Sequence, residues 1–171
     1  MRVRALYGIV VMVRIATLVW AWLNLPEQIA THFGASGAPD GWGSRNGYLA
    51  VDIIISAALI LGFPMLVGVL GRGSGAGVNI PHKDYWFRPE NRPQFRQRMT
   101  ADMLFIGGAT GLLLSWIDVE IVRANALAAP MMGASSWVAV TVFVVVIVGY
   151  SIWMATSRYA IPPGQRAGSR M

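Results

Sequence analysis

The sequence predicts an all-α membrane protein: four transmembrane helices, with a short amphipathic interfacial helix in the first outer loop. Three observations carry this. Of 171 residues, 55 % are hydrophobic and only 13 % charged, a balance unlike that of soluble domains. Four apolar runs occupy about residues 5–24, 49–70, 101–117 and 134–156, each near the ~20 residues that cross ~30 Å of hydrocarbon at ~1.5 Å per residue. Third, the basic residues gather in alternate connections.

The first run follows Arg2 and Arg4 and so imitates a secretory leader, but it is too long, contains Arg14 and ends in "WAWLNLP" rather than in small residues suited to cleavage. A charge inside a span must pair, snorkel or face a cavity. Arg14 therefore either reaches back to headgroups or pairs with Asp52 or Asp102, both near helix ends, and a relay would need a second buried ionisable group that is not evident. In the second run Pro64 removes a backbone donor and predicts a bend, tolerated where a neighbour satisfies the freed carbonyl. The third run is the shortest and can extend through "DVEIV" toward residue 123; Gly107, Gly111 and Ser115 place a small residue at every fourth position, a face for close helix packing against a sister helix or a partner chain. The fourth run is uninterrupted.

Lysine and arginine are retained on the cytoplasmic side of short loops. With the N-terminus inside, that side holds Arg2, Arg4, Arg72, Lys83, Arg88, Arg92, Arg96, Arg98, Arg158, Arg166 and Arg170, whereas the outer loops hold only Arg45 and Arg123. Both termini are thus expected in the cytoplasm. Trp20, Trp22, Tyr48, Trp116 and Trp137 would mark the outer boundary, and Tyr7, Tyr150, Trp153 and Tyr159 the inner. The formal charge of +6 is dispersed between apolar runs and forms no aromatic-interleaved stripe, which argues against nucleic acid. Without cysteine there is no disulfide, thiolate metal site or thiol nucleophile.

Residues 25–48 form the outer motif loop and 72–100 a basic cytoplasmic loop. In "NLPEQIATHFG", Pro26 and Glu27 suit a first helical turn, Ile29 and Phe33 lie four apart and Gly34 suits a left-handed cap, which predicts the interfacial helix. Gly37 and the turn Pro39-Asp40-Gly41 follow, with Trp42 free to dip into the interface. His32 and Asp40 are too few for a metal site, and a histidine hydrogen-bonded within the loop is expected instead. In the second loop the glycine run lacks the GK[ST] sequence and preceding strand of a phosphate cradle. Pro81, Lys83, Tyr85, Trp86 and Arg88 suit an inner-leaflet anchor with anionic lipid contacts, and "PENRPQFRQRM" begins a basic helix leading into the third run.

"LPEQIATHFGASGAPDGWGSR", residues 25–45, resembles the signature of the bacterial family called domain of unknown function 1648, and "NIPHKDYWFRPENR", residues 79–92, is similar to the Asn-x-Pro…Tyr-Trp segment in its members. Arg45 stands where the family typically has lysine, and His82 where it often has asparagine. The resemblance implies a bacterial inner-membrane protein, related to SdpI-type proteins that protect a cell from a secreted toxin and pass a signal inward. The expectation is a non-enzymatic protein without cofactor or metal, whose outer loop recognises a protein, peptide or lipid. The alternative is a structural accessory subunit of a larger membrane complex. Membrane lipid and another membrane protein are the expected partners.

Overall fold

The computed structural model describes residues 2–70 and 77–162, Leu70 by its backbone only. The glycine run at 71–76, Arg72, Arg166 and Arg170 lie outside the described residues. In chain order come α1 (Arg2–Asn24), β1 (Gln28–Phe33), β2 (Pro39–Ser44), α2 (Arg45–Leu70), the single turn α3 (Lys83–Trp86), α4 (Arg92–Asn125), α5 (Ala134–Trp153) and a π-type turn over Met154–Arg158. Four of these helices are long and apolar enough to cross a membrane, so the chain is a multi-pass membrane protein.

One sequence expectation is corrected. Residues 28–33 form no interfacial helix; they pair antiparallel with residues 39–44 as a two-stranded ribbon. The turn lies earlier than Pro39-Asp40-Gly41: Gly34 N–H donates to Ala38 O and Gly37 N–H to Gly34 O, each at 2.9 Å, with Gly37 at φ +83°. That angle suits a residue without Cβ. The helix of the third run takes in the basic segment before it and the residues through Asn125, since α4 has 34 residues, about 51 Å at ~1.5 Å per residue. It exceeds a ~30 Å hydrocarbon core and so carries structure at both ends of the bundle.

α4 is the central column, packed on α1, α2 and α5. Its small residues face α1: a methyl added at Gly107 would lie 3.3 Å from the Tyr7 ring, and one at Gly111 3.1 Å from Val10. Ser115 continues that buried face, and its Oγ has no hydrogen-bond partner. The small-residue stripe is thus occupied by a sister helix of the same chain. The close approach has a use in α2, which runs unbroken through Pro64. Proline at position 64 deprives the carbonyl four residues earlier of its helical donor, and the Tyr7 hydroxyl donates to that carbonyl, Ile60 O, at 2.6 Å.

Apolar packing collects at the two ends. Ala21, Leu25, Ile29, Leu49, Ile121 and Val122 form one cluster beneath the ribbon. The other, at the end where α4 begins, holds Val67, Val78, Tyr85, Trp86, Phe95, Met99 and Tyr159. Side chains such as Ile54, Met65, Val138 and Val145 point outward, as lipid-facing surfaces require.

Candidate functional site

The ribbon is built to lie close and stay fixed. Its second strand, "PDGWGS", is poor in strand-forming residues but rich in glycine, and space explains the choice: a Cβ at Gly41 would lie 2.9 Å from the Cβ of His32, and one at Gly43 3.3 Å from Thr31. Ile29 is fully buried in the apolar cluster below. The free edge of β1 is closed by a side chain from 95 residues away. Asn125, the last residue of α4, accepts from Ala30 N–H at 2.8 Å and donates to Ala30 O at 3.0 Å, the two bonds a neighbouring strand would make. Its amide also donates to Ile121 O. At the turn, Met132 N–H donates to Gly37 O at 2.9 Å, and a Cβ on Gly37 would meet Met132 O at 2.7 Å. Arg45 closes the base, donating from its side chain to Leu25 O and from its backbone to Glu27 O.

On the outer surface of this ribbon His32 Nδ1 and Asp40 Oδ1 are in direct contact, across the bulged part of the pairing. Their side chains remain 74 % and 53 % exposed, and Trp42 is 58 % exposed. Of the loop residues singled out in the sequence, Gly41 lets the strands approach beside His32, Asp40 holds the imidazole, Trp42 stands exposed opposite Ala30, and Pro39 pairs with Phe33 at the turn. Among the described residues no group of three His, Asp or Glu side chains could hold a metal ion.

Below the apolar layer lies a buried ion cluster. Arg14 donates to Asp52 and Asp118, both as ion pairs, and to Ser56 Oγ at 3.0 Å. Tyr48 donates to the other oxygen of Asp118 at 2.7 Å. Arg14 and Asp118 are each 1 % exposed. Arg14 does not snorkel. Its partner in the third span is Asp118, not Asp102, and Asp52 lies not at a helix end but two turns inside, because α2 begins at Arg45. Sequence reasoning passed over Asp118 because it lies just beyond the apolar run. The available signal was its spacing from Ser115 and Gly111, which puts it on the same buried face of α4.

Asp102 instead has its own partners at the opposite end. Arg158 pairs with it at 3.1 Å, Tyr150 donates at 2.8 Å and Tyr159 at 2.6 Å. Burial, and then the bond to Asp102, push the Tyr159 hydroxyl above its ordinary range, so it remains a donor. Of the boundary aromatics, Tyr7, Tyr48, Tyr150 and Tyr159 turn their hydroxyls inward, whereas Trp20, Trp22, Trp116, Trp137 and Trp153 face outward.

The anchor expected at Tyr85 and Trp86 is corrected too. Trp86 is fully buried, with Tyr85 at 5.0 Å and Tyr159 at 5.9 Å between ring centroids, and its indole N–H donates to Tyr159 O. These rings hold the end of α5 onto α4 and do not reach lipid. Pro81 and Lys83 are half-buried and Arg88 is exposed. His82 adopts φ +55°, the left-handed region that asparagine and histidine enter more readily than most residues.

Residues 9–56 match the family model described as a domain of unknown function (DUF1648). The matched segment runs from α1 through the ribbon into α2 and contains Arg14, His32, Asp40, Asp52 and Ser56. No curated protein and no solved structure matches this chain.

Proposed function

We propose, on the premise that the segment from α1 into α2 is a DUF1648 domain, that this chain is a non-enzymatic membrane protein whose ribbon recognises a protein, peptide or lipid partner. The ribbon faces outward from a bacterial inner membrane with both chain termini in the cytoplasm, an orientation supported by the excess of arginine around α3 and the start of α4. Toxin immunity or signalling of the SdpI type is the use the resemblance suggests. One observation carries the reading: a ribbon fixed by Asn125, Met132 and Arg45 nevertheless displays His32 in contact with Asp40 and a bare Trp42. A fixed surface binds without an ordering cost, and exposed aromatics beside polar groups are typical anchors of recognition.

The test is a native pull-down with identification of bound chains, using wild type, His32→Ala, Asp40→Ala and Trp42→Ala. Loss of a captured partner, with membrane insertion and thermal midpoint unchanged, is the expected result; equal capture by all four defeats the proposal. A structural accessory subunit is the second reading, favoured by α5, which has no buried residue and lies against α4. Constant co-purification with one large assembly in gentle detergent would favour it.

A further inference from the structure

At the end of the bundle away from the ribbon, a cleft of about 750 Å³ opens between the first turns of α1 and α4. Arg4, Arg92 and Arg96 line it, with Gln97 and Thr100, and among the described residues no carboxylate does. A second cavity of about 410 Å³ shares Arg4, Arg96, Thr100 and Leu104 with the first and continues over Tyr7, Pro64 and Val67. The two are one cleft with a polar mouth and an apolar continuation.

The face of α4 that forms its wall reads Arg92, Arg96, Thr100, Leu104 at successive intervals of four, so one stripe passes from guanidinium to hydroxyl to hydrocarbon along the helix. Among the described residues, the side chains of Arg4 and Arg96 make no hydrogen bond or ion pair. Arg92 is held in place, its Nε donating to Phe87 O at 2.9 Å. Arg98, on another face, is spent on the protein itself: it lies 4.7 Å over Trp86 and donates to Arg158 O. Three guanidiniums gathered without a carboxylate repel one another and call for an anion with several acceptor oxygens.

We infer that this cleft binds an anionic phospholipid, its phosphate between Arg4, Arg92 and Arg96 and an acyl chain along Leu104, Val67 and Pro64. Charge complementarity selects a phosphate. The apolar continuation, and the placing of the mouth where two apolar helices begin, select a lipid over a free phosphate. The site lies at the opposite end of the bundle from the recognition patch and does not depend on it.

The purified full chain, exchanged into a neutral detergent, would be titrated with phosphatidylglycerol, phosphatidylcholine, glycerol phosphate and inorganic phosphate. Bound lipid is read by native mass analysis and stabilisation by the thermal midpoint. Phosphatidylglycerol should be retained and raise the midpoint, phosphatidylcholine should bind about tenfold more weakly, and the two chainless phosphates should do neither. The double variant Arg4→Gln, Arg96→Gln should lower phosphatidylglycerol retention about tenfold or more. Both positions are exposed, so the variant's unliganded midpoint should equal that of wild type. Arg88→Gln, an exposed arginine outside the cleft, should retain the lipid. Equal retention by the double variant overturns the site, and so does an equal loss in Arg88→Gln, which would mean diffuse surface charge. Equal stabilisation by inorganic phosphate overturns the lipid assignment.

Discussion

The two ends of the bundle each set an arginine against a buried aspartate of α4, yet they balance charge differently. At the ribbon end, Arg14 faces two carboxylates, Asp52 and Asp118, with Tyr48 and Ser56 as neutral partners. At the other end Arg158 faces the single carboxylate of Asp102, which also takes hydroxyl bonds from Tyr150 and Tyr159. Arg158 is partly exposed and lies 5.3 Å over Trp153, whereas Arg14 is enclosed. Buried carboxylates need partners whether or not the pair adds net stability. The ribbon end therefore hangs on one irreplaceable cation, and the far end shares its load among three donors.

The sharpest way to break this comparison is to remove each arginine. Arg14→Met leaves Asp52 and Asp118 facing each other and should cost about 3–5 kcal/mol, seen as loss of monodisperse protein or a collapse of its thermal midpoint in detergent. Arg158→Met leaves Asp102 with two hydroxyl donors and should cost clearly less; equal losses would show that the two sites are energetically alike. Next comes the fastening of the ribbon. Asn125→Ala leaves the buried Ala30 N–H and C=O unpaired, about 1–3 kcal/mol for each such group, and should raise hydrogen exchange and protease cleavage at residues 28–44 while α1 and α2 stay protected. Unchanged protection there would mean that the apolar contacts of Ile29 hold the ribbon alone. Smaller again, Tyr7→Phe removes the donor to the carbonyl left by Pro64 and should cost about 1–2 kcal/mol, an effect that a companion Pro64→Ala substitution should cancel. The smallest change is Tyr159→Phe, which deletes one of three donors to Asp102 and should lower the midpoint by the equivalent of about 1 kcal/mol; a drop as large as that of Arg158→Met would contradict the sharing of load.

Much of the site was named from sequence but mis-shaped. His32 and Asp40 do meet and Trp42 is exposed, yet on a ribbon. Pro26, Glu27 and the four-residue spacing of Ile29 and Phe33 are local helix signals, and the strand alternation that would oppose them is scrambled by bulges between Ala30 and Phe33. The bonds that decide the matter, from Asn125 and Met132, come from beyond residue 120 and leave no mark near residue 30. Tyr85 and Trp86 were legible as aromatic anchors. What they anchor, the end of α5, depends on where Tyr159 and Phe95 arrive.

The sequence by itself determined the four crossings, because hydrocarbon leaves a backbone no choice but to satisfy its own hydrogen bonds, and a run of apolar residues is a local property. It also determined that Arg14 had to find a partner. Which partner, and that a ribbon roofs the pair, was decided by tertiary structure alone: Arg14, Asp52 and Asp118 meet only after three helices pack, and their charges can be neutralised only by groups the fold brings from far along the chain.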